Sequence, residues 1–425
     1  MINTKENTTF KKGINAAFIL ILCMLVFTAL TGLAPQGILS FGVVVCFTFL
    51  LLIDKLYYGF PFVIFYNSFY GLALGASVFR IYSILILMDA LLRATKKSTL
   101  KIKKLIPLSV FVIYLLLVML PIQGVLWTLY LFVDVLCCFL VTSRIYNEEE
   151  AVIKNVFKVY VVVSIVSCFS GFLLNNYIGN EYTYFRFMGT FEDPNYIGFF
   201  FTIAIFALIT LKLFNKGIRI LLVVFFYAIM LSTLSITFIV VNIVLWCIYL
   251  VFMKKLKWWS VLVVAVVVTV VLFLYQYGLD NPDSYVIGDL AGRIEEKLAS
   301  AASGDINDAT TNRSGLSREH FEYYKSLPVH NILFGGIPVI AKYISPIFDA
   351  AAHNEYVDML LNIGLIGSAI LLGWFAHNVI SHIKRYRCES TDKELFLVVG
   401  KVIWCLYAVT LTMFLDFRFL MFFLI

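Results

Sequence analysis

The chain has 425 residues, of which 61% are apolar and only 14% charged, with a net charge of +7 and a mean hydropathy of +0.92. A soluble domain holds about 45–50% apolar and about 25% charged residues, so much of this surface has to be solvated by lipid. Continuous apolar runs exclude a β-barrel, and basic residues confined to short loops exclude nucleic acid as a partner.

In chain order, runs of about 20 apolar residues predict spans at 15–33, 37–53, 57–74, 77–93, 105–121, 124–143, 153–174, 195–212, 218–234, 235–253, 258–276, 354–376 and 394–413, with a short apolar tail from Phe417 to Ile425. The first run follows Lys11-Lys12, is too long for a signal-peptide core and lacks a clean cleavage site, so it is read as a span. The fold class is an all-α polytopic membrane protein with about 12–14 transmembrane helices. Residues 1–277 form a helical bundle with an outer loop at 175–194. Residues 278–352 form one large polar loop with short helices, and 353–425 return as C-terminal spans. Eight cysteines without a Cys-x-x-Cys pair read as small core residues.

The basic residues fix the orientation. Clusters at Lys96, Lys97, Lys101, Lys103 and Lys104, at Lys212, Lys216 and Arg219, at Lys254, Lys255 and Lys257, and at Lys384, Arg385 and Arg387 fall on the same side as Lys5, Lys11 and Lys12. That side is the cytoplasm by the positive-inside rule. The loops at 175–194 and 278–352 therefore share the opposite compartment, and the larger holds ten acidic residues against six basic ones.

Three constellations carry chemistry. In the first, Arg186 precedes Gly189, Thr190, Glu192, Asp193, Pro194, Asn195 and Gly198. Asp193-Pro194 reads as a helix cap followed by proline in the first turn. Arg186 is either a phosphate ligand beside that helix N-terminus or a snorkelling interfacial arginine. In the second, Ser317 caps a short helix that ends at Pro328 and buries Phe321, Tyr324 and Leu327. Arg313 stands just before it, Arg318 in its first turn, and Gly335-Gly336 marks a tight turn or a close backbone approach. In the third, His353-Asn354 opens the helix that carries Gly364 and Gly367. A helix N-terminus disfavours imidazolium, so a neutral His353 is suited to act as a general base. Arg80, at the outer end of its span, is a further phosphate ligand or an anchor. Within the spans, Asp89, Asp134, Asp358 and Lys401 need partners, and Asp89 with Arg93 has the spacing of a pair. There is no metal-ligand spacing, Walker loop, dinucleotide fingerprint or serine elbow, and no cofactor is implied.

Residues 150–425 resemble the O-antigen polymerase and ligase family of bacterial envelope glycan enzymes (the Wzy/WaaL type). The resemblance rests on Arg186, Gly189, Pro194-Asn195 and Gly198, then on Arg313 through Pro328 to Gly335-Gly336, then on His353-Asn354 with Gly364 and Gly367, in that order around one late outer loop. It implies a GT-C-like glycosyltransferase in the bacterial cytoplasmic membrane, with its N-terminus inside and its large loop outside. The donor would be an oligosaccharide on undecaprenyl pyrophosphate, and the acceptor a second lipid-linked unit in a polymerase or lipid A–core in a ligase. A chain-length regulator and a flippase are the implied partners beside membrane lipid. The resemblance makes Arg186 and Arg313, with Arg318 as the alternative, pyrophosphate ligands and His353 the base. Asn195, Asn354 and Glu192 lie within the same motifs as supporting residues.

The acidic balance of the loop favours a polymerase, since a partner as phosphorylated as lipid A–core calls for more Lys and Arg. A lipid-linked oligosaccharide flippase is the reading from another class, with Asp134 and Lys401 lining a path. Against it stand the absence of a repeated pair of interrupted spans and the gathering of polar residues in one loop. A membrane O-acyltransferase also uses a histidine, but paired arginines favour a phosphate-bearing donor.

Overall fold

A computed structural model of the chain describes residues 19, 22–23, 25, 36–66, 78–94, 102–174, 177–178, 186–191, 193–252, 272–273, 275–284, 287–305, 313–336, 352–411 and 416–424. The expected spans 15–33 and 258–276 fall largely outside these residues. So do the second half of 57–74, half of the loop 175–194 including Glu192, and the basic clusters at Lys96, Lys97 and Lys101 and at Lys254, Lys255 and Lys257.

The described chain is all-α but for one small β pair. Helix α1 covers Gln36–Leu52, and a 3-10 turn at Leu56–Gly59 leads into α2 at Phe60–Tyr66. Then come α3 (Val78–Ala94), α4 (Ile102–Asn147) and α5 (Glu150–Leu173). Strands β1 (Tyr177–Ile178) and β2 (Arg186–Phe187) pair antiparallel, with Ile178 opposite Arg186. Helices α6 (Pro194–Thr210), α7 (Lys216–Leu231) and α8 (Ile236–Phe252) follow. The polar loop contributes α9 (Ile287–Ala302), α10 (Arg313–Ser326) and α11 (Val329–Phe334). The chain closes with α12 (Glu355–Glu389), α13 (Asp392–Ala408) and α14 (Phe417–Leu424).

Two of these helices, α5 and α12, are long and apolar enough to cross a membrane. Shorter apolar helices lie within 41–52, 56–66, 109–118, 194–210 and 236–250.

Helix α6 sits at the centre. Every residue from Ile197 to Leu208 is buried, the mark of a helix enclosed on all sides. It packs on α13, α7, α5 and α8. Its aromatic residues mesh with neighbours: Phe200 stacks on Phe191 at 5.0 Å, and Phe199 meets Tyr407 edge-on at 5.5 Å. Such pairs each add about 0.5–1.5 kcal/mol beyond the area they bury. Buried polar groups among these rings are bonded. Thr190 Oγ1 donates to the Phe65 carbonyl at 2.7 Å, and Tyr160 Oη donates to the Phe200 carbonyl at 2.9 Å.

The outer helices turn large apolar residues outward. On α7 these are Ile218, Ile220, Leu221 and Val224; on α8, Val240, Ile243 and Ile248; on α3, Ile84, Met88, Leu91 and Leu92.

Three features differ from the sequence expectation. Spans 105–121 and 124–143 are one helix, α4, which runs through Pro121. A proline removes one backbone hydrogen bond, and a helix continues through it where neighbouring groups satisfy the freed carbonyl. At about 1.5 Å per residue, α4 exceeds the length of a single crossing. Ser317 is not a helix cap. Helix α10 already begins at Arg313, and Ser317 Oγ instead donates to the Ala352 carbonyl at 2.7 Å. The buried side of α10 is accordingly His320 and Tyr324, while Phe321 is exposed.

Candidate functional site

The site is assembled from four segments that are far apart in sequence, and glycine geometry brings them together. A Cβ on Gly171 of α5 would lie 2.5 Å from the Gly189 Cα, so the loop after β2 lies directly on that helix. Gly189 itself adopts φ +61°, which glycine reaches without strain. Gly335 and Gly364 form a second contact. Each has positive φ, and a Cβ on either would come within 2.5 Å of backbone oxygen on the other segment, Asn362 and Leu333 respectively. The Gly336 amide donates to the Asn362 carbonyl at 2.9 Å, and Tyr114 Oη donates to the Ile363 carbonyl at 2.6 Å. Gly364 breaks α12 at this point. The loop helices are thereby fastened to the outer part of α12. Gly367 lies against the ring of Tyr114.

Each predicted residue can now be placed. Arg186 stands on β2, half-buried, and its Nε donates to the Thr233 carbonyl at 3.0 Å. Asp193 caps α6: the Asn195 backbone amide and Asn195 Nδ2 donate to its Oδ1 at 2.6 and 2.7 Å. Asn195 is locked from the other side by Ser235 Oγ at 2.8 Å, so it holds Asp193 in place. Arg313 opens α10, and its Nη1 donates to the Thr410 carbonyl at 3.2 Å. His353 sits in the left-handed region at φ +51°, a conformation that costs an L-residue about 1–2 kcal/mol. Asn354 then caps α12 by accepting from the Tyr356 amide at 3.1 Å.

Electrostatics define the cluster. Arg186 feels Arg293, Asp193 and Arg313, and its pKa is lowered to about 9, first by burial and then by Arg293. Burial also lowers the pKa of Arg313, while Asp193 and Tyr196 raise it. His353 titrates below an ordinary imidazole because it is buried and faces Arg313, with Asp193 opposing the shift and His320 adding to it. Among the described residues, the Arg186 and Arg313 guanidinium groups thus act with the Asp193 carboxylate around a neutral imidazole. Among the described residues, neither Arg186 nor Arg313 is ion-paired. Such an arrangement is poised for an anion, because buried positive charge in excess of its counter-charge is costly.

Not every candidate joins the cluster. Arg318 is exposed on the far side of α10. Five residues along a helix turn it about 140° from Arg313. Arg80 is exposed and acts on Asp134, together with Asp416. Asp416 in turn holds Arg418 at 2.6 Å, and Arg418 lies over the rings of Phe191 and Tyr196.

Sequence reasoning missed Arg293, His320 and the electrostatic part of Asp193. Arg313, Ser317 and His320 follow an i, i+4, i+7 pattern, so one helix face was visible once the start of α10 was known. Arg293 carried no local signal beyond being one of the few bases in an acidic loop. Among the described residues, no three His, Cys, Asp or Glu side chains converge as a metal site. No family model matches the chain, and no curated protein matches it either.

Proposed function

We propose that this protein is a polytopic membrane glycosyltransferase of the bacterial cytoplasmic membrane. It would transfer a glycan from undecaprenyl pyrophosphate to a sugar hydroxyl of a second lipid-linked repeat unit, polymerising O-antigen, capsule or exopolysaccharide. The observation that carries this reading is the convergence of Arg186, Arg313 and His353 from three distant segments onto one half-buried cluster. These are the residues singled out by the resemblance to the O-antigen polymerase and ligase family. Outward-facing apolar side chains on α3, α7 and α8 support the membrane placement.

The chemistry follows from the charges. His353, held neutral, accepts the proton of the acceptor hydroxyl. The acceptor oxygen forms a bond to the anomeric carbon, and the bond from that carbon to the phosphate oxygen breaks. Its electron pair leaves on the pyrophosphate, where Arg186 and Arg313 stabilise the added charge. A single displacement inverts the anomeric centre. The reaction needs no metal ion, so a chelator should leave the rate unchanged.

Complementation tests the proposal. The gene is deleted in its native strain, wild type or His353→Ala is restored, and the surface polysaccharide is run on a gel. A ladder of many repeats with wild type and a single capped unit with His353→Ala supports the polymerase. Free lipid-linked polymer that is never attached points to the ligase. Lipid-linked units retained on the cytoplasmic face would replace the enzyme with a flippase, and retention of configuration at the new linkage would rule out the single displacement.

A further inference from the structure

Helix α11 belongs to the stretch that reads as a polar loop, yet it does not end at the polar tip of α12. Its C-terminal end docks where Gly364 breaks α12, beyond Glu355 by about 13 Å of helix. Nearer the tip, Tyr324, Leu327 and Ile332 pack with Val357, Leu360 and Leu361 in a small apolar cluster. The loop thus runs down the side of a helix that is long and apolar enough to cross a membrane. Two interruptions of helical backbone meet at this depth, and protein groups satisfy them. The Gly335 amide donates to the Asn331 carbonyl at 2.7 Å, and Asn331 Nδ2 donates to the Gly335 carbonyl at 2.9 Å. The Gly336 amide serves the Asn362 carbonyl. Tyr114 Oη, bonded to the Ile363 carbonyl, also lies 3.2 Å from that of Phe334. A loop end in water can leave such groups to solvent, whereas irregular backbone within a bilayer has to be met by protein. The side chains around the junction are apolar and point outward. Phe334 is 43% exposed, Leu365 on α12 is 51% exposed, and Leu117, one turn after Tyr114 on α4, is 71% exposed.

We propose that α11 is a re-entrant element whose C-terminal end lies in the membrane, with Phe334 seated among the phospholipid acyl chains of the leaflet beside the start of α12. The exposed His330, one turn earlier, lies at the headgroup boundary, and the exposed Glu319 of α10 stays in water. Three observations select lipid as the occupant: the depth of the dock on α12, the backbone groups satisfied without solvent, and the continuity of Phe334 with outward apolar residues of α4 and α12. The inference rests on the membrane placement in the reading above and not on the transfer chemistry. Its consequence is positional. The α10–α11 unit is anchored in lipid, so Arg313 at the start of α10 is held at the membrane surface.

The test uses the full chain in nanodiscs of phosphatidylethanolamine and phosphatidylglycerol. Cys247, Cys388 and Cys405, the thiols that are not buried, are replaced by alanine. Nitroxide labels are then placed singly through Phe334→Cys, His330→Cys, Glu319→Cys and Leu117→Cys. Collisions with oxygen, which concentrates among acyl chains, are compared with collisions with a water-soluble nickel chelate. Oxygen should dominate at Phe334→Cys as it does at Leu117→Cys, nickel should dominate at Glu319→Cys, and His330→Cys should fall between. Phe334→Cys behaving like Glu319→Cys, with Leu117→Cys in lipid, would overturn the inference and leave the membrane placement standing. Both Phe334→Cys and Leu117→Cys in water would overturn the two together. Protection of Phe334→Cys from both reagents would mean that a second copy of the chain covers it, and would also overturn the inference. Wild type supplies a measurement that needs no substitution. A phospholipid with a diazirine in its acyl chain should crosslink to residues 329–336 and not to 313–326, and crosslinks confined to α4 and α12 would count against the seat. Lipid contact at Phe334 in a protein whose His353→Ala variant still makes polymer would uphold the seat and defeat the polymerase reading.

Discussion

Two charged regions among the described residues are built on opposite principles. Where α1, α3, α4, α5 and α13 end or begin, charges are paired off. Arg93 bonds Asp54 and also Asp89, at 2.9 Å. Arg144 reaches Asp54 at 3.1 Å and Glu148 at 3.2 Å. Lys154 holds Glu150 at 2.7 Å, and Asp392 accepts from Lys212 at 2.7 Å. The four bases meet five acids. Around β2, α10 and the start of α12, Arg186 and Arg313 both act with Asp193 beside a depressed histidine. The same side-chain types thus fasten helices together in one place and leave charge available in the other. Excess charge in a half-buried place is unfavourable for stability, so its presence points to a ligand rather than to structure.

The comparison breaks most visibly at His353. His353→Ala should lower polymer formation about 100- to 10,000-fold, the range for removing a general base, with the protein still folded by circular dichroism. A wild-type ladder from this variant would remove the base from the site. Arg186→Gln should cost about 100- to 1,000-fold in rate, comparable to the loss of one donor to a developing oxyanion.

Backbone geometry gives the next effect. Gly364→Ala would place a Cβ at positive φ against Leu333, costing about 1–3 kcal/mol for the strained conformation alone. Its melting temperature should fall, and proteolysis between α11 and α12 should quicken. An unchanged protein would mean that the contact does not hold the loop.

Titration sharpens the contrast further. His353 acts as a base only when deprotonated, so activity should fall as pH drops through its depressed pKa and be complete above it. In Arg313→Gln the positive neighbour is gone, so the acid limb of the residual activity should move to higher pH. In Asp193→Asn, which keeps a cap, the limb should move to lower pH. Shifts in the same direction would contradict the arrangement of charges.

The smallest effect is expected at the paired region. Lys212→Ala breaks an exposed bond to Asp392 and should change stability by about 1 kcal/mol or less. Its polymer ladder should match wild type.

Several features were legible from the sequence because they depend on local chemistry. The apolar periods placed α1, α3, α5, α6, α7, α8 and α13 within a few residues. Asp193 before Pro194 announced the start of α6, since capping needs only neighbouring residues. The four-residue spacing of Asp89 and Arg93 gave their pair, and Gly335-Gly336 announced a close backbone approach. The ordered motifs named Arg186, Arg313 and His353 one at a time.

Tertiary structure decided what those residues face. Nothing within a few residues of Arg293 indicates that it comes within electrostatic reach of Arg186. That Arg313 and not Arg318 lies within reach of His353 and Asp193 turned on the start of α10, because five residues on a helix point to a different face. The passage of α4 through Pro121 was not legible either, because whether a proline ends a helix depends on the packing around it. Local sequence determines the elements and their caps because those energies are short-range. Placing charges from residues 186, 293, 313 and 353 in one cluster takes packing between distant segments, and only the folded chain supplies it.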